Sequence, residues 1–164
     1  MAAVSLLAVI YICRVGKGRS FSDKMLLLPE RFGALPEDEI SVEYSAAEEI
    51  QELSKVAVAF ALEHKAERNR ALQFDLVVEE LAQILSDYGL TDGKEHHIYI
   101  RLVSKDEDLI VRLRDDCKLF NVAEYQQLLQ ERGEKEMSPA IIMKIAKESQ
   151  YSPTFGTNTI IIRL

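Results

Sequence analysis

The stretch HIYIRLVSKDEDLIVRLRD, residues 97–115, constrains the fold more than any other. Two apolar runs, at about 97–103 and 109–114, alternate with period two. The polar turn Ser104-Lys105-Asp106-Glu107-Asp108 joins them. Period-two alternation places one set of side chains on one face of a sheet, and an apolar face must be covered by a second layer.

The flanking sequence supplies that layer. Ile40 to Tyr44 alternates as a further strand. Ser45 with Glu48 three residues on forms a capping box, which opens a helix to about His64 with Ile50, Leu53, Ala57 and Phe60 along one face. A second helix runs from about Glu67 to Tyr88, carries Leu72, Val77, Leu81, Ile84 and Tyr88 in register, and stops at Gly89. Asn121 and Glu124 open a short helix to about Arg132, and Ser138-Pro139 starts another. That one extends to about Glu148, with Ile141, Ile142, Ile145 and Ala146 as core candidates. A turn at Pro153 to Gly156 leads into a closing strand, Thr159 to Ile162. These elements predict an α/β (α+β) two-layer sandwich. Its sheet is mixed but mainly antiparallel, with helices on one face.

Composition narrows the function. The chain of 164 residues carries a net charge of −7, which excludes nucleic acid as the main partner. Its two cysteines, Cys13 and Cys117, have no C-x-x-C spacing, so the sequence encodes neither a disulfide framework nor a structural zinc site. Residues 1–15 form an apolar N-terminal segment, 16–37 a linker with three glycines and two prolines, and 38–164 the domain. The apolar run AAVSLLAVIYIC is shorter than the roughly 18–20 residues of a spanning helix. It precedes Arg14, Lys17, Arg19 and Lys24. That order matches the cytoplasmic end of a membrane span, or else an amphipathic or buried helix. The expected setting is cytoplasmic, with membrane contact only through this segment.

Several residues stand out as chemistry. Asp115 and Asp116 end a strand, where a carboxylate either caps a turn or faces a ligand. Asp116 should point away from its neighbour and be structural or exposed. Glu80 reads equally as a solvated helix face. His96 and His97 start a strand with side chains on opposite faces, which argues against a shared metal site. Cys117 has no base partner nearby in sequence, and Lys118 reads as an exposed lysine.

Four local patterns, in order, resemble the GHKL ATPase superfamily, in its anti-sigma-factor and serine-kinase branch, related to histidine-kinase catalytic domains. VVEELAQILSDYG, residues 77–89, resembles E-E-L-x-x-N-x-x-x-H/Y-G, with Glu80 at the catalytic glutamate and Ile84 where the magnesium asparagine would stand. LRDDCKLFNVAEY, residues 113–125, resembles the D-x-G box, with Asp115 at the adenine-binding aspartate and Cys117 at the glycine. EMSPAIIMKIAKE, residues 136–148, resembles the second glycine box, with Ser138 at the phosphate-loop glycine and Pro139 after it. FGTNTIIIRL, residues 155–164, resembles the closing G-x-x-T/N strand, which brings Gly156 and Thr157 into the site.

The resemblance implies a histidine-kinase-like ATPase fold and a site for ATP or ADP at Asp115, Cys117, Ser138, Gly156 and Thr157. Glu80 is its candidate catalytic residue. Magnesium takes oxygen ligands, and isoleucine has none. Proline offers no N–H to a phosphate. The expectation is therefore a degenerate regulatory domain with impaired or absent Mg-ATP turnover, at most a weak ATP-dependent serine-protein kinase. Its implied partners are an anti-anti-sigma-like or sigma-factor-like protein, or a second copy of itself. The competing expectation is a pseudo-ATPase interaction module, placed as the cytoplasmic C-terminal domain of a multi-span membrane protein.

Overall fold

A computed structural model describes residues 35–44, 50–90, 94, 96–118, 121–132, 138–154 and 156–164. The apolar N-terminal segment, most of the linker and the Ser45–Glu48 capping box lie outside the described residues. After a short 3₁₀ turn at Pro36–Asp38 come strand β1 (Glu39–Tyr44) and helices α1 (Ile50–Glu63) and α2 (Arg68–Ile84). Strands β2 (Ile98–Lys105) and β3 (Asp108–Asp115) follow, then α3 (Val122–Arg132), α4 (Ser138–Ile145), β4 (Glu148–Tyr151) and β5 (Asn158–Arg163). The sheet order is β1-β2-β3-β5-β4, and every pairing is antiparallel. The expected two-layer architecture is present, and the sheet has no parallel pair among the described strands.

Register explains which side chains meet the helices. Leu102, Val111 and Ile162 stand side by side across three strands, and Ile100, Leu113 and Ile160 form the next row. All six are buried in one apolar cluster with Leu53, Ala57 and Phe60 of α1 and Phe74, Val77, Val78, Leu81 and Ile84 of α2. The third row is Ile98, Asp115 and Asn158. Two polar side chains therefore end an otherwise apolar, helix-facing ladder. The other face is mixed: Val103 and Ile110 are buried on it, while Tyr99 donates to Glu43 at 3.1 Å and Arg114 Nε donates to Thr159 Oγ1 at 3.2 Å.

Four details differ from the sequence reading. Leu72 is exposed at 49%, because the buried stripe of α2 runs instead through Ala71, Phe74, Val78 and Ala82. The last helix ends at Ile145, and Glu148–Tyr151 pairs with β5 as an edge strand. Gly89 does not close α2 through a left-handed cap. The helix runs on as a π turn, Leu85–Gly89, and a Cβ at 89 would stand 2.9 Å from Leu85 Cδ1 and 3.1 Å from Cys117 Cβ. Glycine is needed there for close packing against Cys117.

The fourth detail is the β2–β3 turn, which tightens to two residues. Asp106 and Glu107 both take positive φ, 50° and 67°, as a type I′ hairpin requires. Glutamate is poorly suited to that conformation. Glu107→Gly is expected to stabilise the fold by roughly 0.5–1 kcal/mol. A raised denaturant midpoint at unchanged slope would register the gain.

Candidate functional site

Asp115 ends β3 on the helix-facing side and is 0% exposed. Its Oδ1 accepts the Cys117 N–H at 3.0 Å and the Asn158 Nδ2–H at 2.7 Å. Its Oδ2 is buried and has no hydrogen-bond partner. One oxygen thus caps the turn, the first of the two roles the sequence left open. Desolvation raises the Asp115 carboxyl to about 6, against the pull of hydrogen bonds from Asn158 and Cys117.

Asn158 organises this corner and carries no mark in the sequence reading. Its amide also donates to the Lys118 carbonyl at 3.2 Å, and the Tyr151 hydroxyl donates to its Oδ1 at 2.9 Å. Only the β3–β5 register, which sets Asp115 opposite Asn158, could have pointed to it.

The other expected site residues divide. Cys117 is 4% exposed and belongs to the apolar cluster beside Val122 and Leu85. Ile84 is 3% exposed in the same cluster, so the position expected to hold magnesium is core. That chemistry does not fit a hard cation. Thr157 spends its hydroxyl on the Thr154 carbonyl at 2.6 Å, closing the tight β4–β5 turn. Gly156, with φ +80°, makes that turn possible. Ser138 is the first residue of α4, and Pro139 behind it is buried.

Glu80 is half-buried on α2, one turn beyond Leu76. Leu76, Gln73, Ile141, Lys144 and Ile145 line a cleft of about 450 Å³ between α2 and α4. Lys118 is exposed, as expected. Asp116 is structural, one of the two roles expected of it: its Oδ1 accepts the His97 N–H at 2.9 Å and lies 3.1 Å from His96 Nδ1.

No protein-family model and no curated protein matches the sequence. Solved structures do resemble it. A chain of the SiaB–SiaC complex from Pseudomonas aeruginosa superposes with a TM-score of 0.56 at 12% identity, covering 78% of this chain and 90% of that one. The likeness is one of fold. A histidine kinase domain, from the Erythrobacter litoralis EL346 blue-light activated histidine kinase, matches at a TM-score of 0.48 and 14% identity. That match covers 60% of this chain, which spans 46% of the kinase chain. The five-stranded antiparallel sheet under its helices is an α+β fold, and the chain from the SiaB–SiaC complex shares it. Among the described residues no helix is long and apolar enough to cross a membrane.

Proposed function

We propose that this chain is a regulatory domain that seats an adenine nucleotide on Asp115 without magnesium and without turning it over. The observation that carries the reading is Asp115 Oδ2, a buried acceptor with no donor, on the helix-facing side of the sheet. A buried polar atom without a partner is costly, and an exocyclic amine would relieve it. Adenine presents such an amine. Asn158 and the Cys117 N–H hold the carboxylate in place through its other oxygen.

Turnover has no comparable support. Phosphoryl transfer depends on metal positioning and charge neutralisation. Ile84 offers no ligand, and Pro139 has no N–H. Glu80 is then a helix-face carboxylate rather than a base. Regulation would run through a protein partner of the anti-anti-sigma-like or sigma-factor-like kind, or through a second copy. That the similar chain was solved in a complex of two proteins supports a protein partner.

A second reading rests on the complete burial of Asp115 beneath a filled core. On that reading the fold is kept for protein binding alone. Calorimetric titration with ATP and ADP, with and without magnesium, separates the two. Binding of both nucleotides at an affinity indifferent to magnesium is the expected result. Absence of binding leaves the interaction module, and magnesium-dependent binding overturns the assignment of Ile84.

A further inference from the structure

We propose that His96, Asp116 and Cys117 form a binding site for one zinc-class divalent cation. Their imidazole nitrogen, carboxylate oxygen and sulfur all lie within 4.8 Å of one another. The two chain segments meet because β2 and β3 pair with Ile98 opposite Asp115. Residues just before the one and just after the other are then neighbours. Sequence spacing conceals this, since the histidine precedes one strand and the cysteine follows the next.

The separations suit a metal. Tetrahedral zinc bonds of about 2.0–2.3 Å place ligand atoms roughly 3.3–3.8 Å apart. His96 Nδ1 and Asp116 Oδ1 are already 3.1 Å apart. With all three atoms within 4.8 Å, reaching those spacings requires shifts of no more than about 1.5 Å.

The surroundings hold the donors in place. The Asp116 and His96 side chains are 16% and 7% exposed. Asp116 is oriented by the His97 N–H, and the Cys117 backbone by Asp115. Second-layer hydrogen bonds of this kind are what fix ligand orientation in metal sites. A thiolate with an imidazole selects zinc over magnesium or calcium. Three protein ligands leave a fourth position for water or an exogenous group. This site does not depend on the nucleotide reading, and it is measured without nucleotide.

The test uses the full chain, stripped with chelator and titrated with Co²⁺, then with Zn²⁺ against a chromophoric competitor. One equivalent of Co²⁺ is expected, with a near-ultraviolet thiolate-to-cobalt band that Zn²⁺ abolishes. Second-layer losses in metal sites cost about 10–100-fold. His96→Gln and Cys117→Ser are therefore each expected to weaken zinc by at least about tenfold, while Cys13→Ser keeps the band. Should Cys117→Ser fail to fold, Asp116→Asn supplies the same reading of affinity beside His96→Gln. Lack of a cobalt band in the unsubstituted chain would overturn the site. So would a band that survives Cys117→Ser, or zinc affinity unchanged in His96→Gln and Asp116→Asn.

Discussion

Replacing Ile84 by asparagine, the residue that the resemblance expects there, is expected to cost about 4 kcal/mol. Ile84 is 3% exposed and packs in the cluster that joins α2 to the sheet. The substitution removes most of a buried aliphatic side chain, a loss of about 2–5 kcal/mol by itself. It then buries an amide among apolar neighbours, where an unmet hydrogen bond adds about 1–3 kcal/mol. Local relaxation returns part of that sum. Chemical denaturation of the chain and its Ile84→Asn variant reads the difference directly. A loss below about 1 kcal/mol would mean that position 84 opens toward solvent, and the objection to a metal there would lapse.

The second large effect concerns Asp115. Its carboxyl stands at about 6 in the fold, against 3.8 when unperturbed, chiefly through desolvation. A carboxyl raised on folding binds more protons in the native state between those values. Stability is therefore present at low pH and is lost as pH rises from about 4 to 6. At about 1.4 kcal/mol per unit the full loss is near 3 kcal/mol. Asp115→Asn removes the charge while its carbonyl keeps the hydrogen bonds from Cys117 and Asn158. Its new N–H₂ takes the place of the partnerless Oδ2, at a cost of about 1 kcal/mol.

The variant, stripped of metal, is expected to match the parent chain near pH 4.5. It should exceed the parent by about 2 kcal/mol above pH 6.5. Denaturant midpoints at three pH values check this, and a difference that stays flat across the range would remove the buried charge from the account. The same N–H₂ would confront the adenine amine with a second donor, so nucleotide binding should be lost.

The sequence disclosed those parts of the fold whose signals are periodic. The alternation of Ile98, Ile100 and Leu102 against Leu109, Val111 and Leu113 made the central strands plain. Leu53, Ala57 and Phe60 did the same for α1. Glu148-Ser149-Gln150-Tyr151 shows no alternation of apolar residues, because three of the four are exposed on an edge strand. Only pairing to β5 makes it a strand, and a helix read to about Glu148 overlaps its first residue alone. Leu72 was misplaced because its spacing fits one helical stripe while Phe74 and Val78 occupy the buried one.

The site was less legible than the fold, for a related reason. Asp115 was visible as an acid at a strand end, and the resemblance gave it a role. Asn158, His96 and Asp116 matter only through register across strands, which local pattern does not carry. Thr157 was assigned to a ligand, yet its hydroxyl is used by the turn that positions Asn158.

The strand order has one more consequence. The sheet is two local hairpins, β2–β3 and β4–β5, with β1 added at one edge. Their shared boundary is the β3–β5 ladder, and its last rung is Asp115 opposite Asn158. The candidate site is thus a seam between halves that are each contiguous in the chain. Neither hairpin possesses it alone. Whatever separates the halves dismantles the site, and whatever fastens Asp115 to its surroundings also fastens one half to the other.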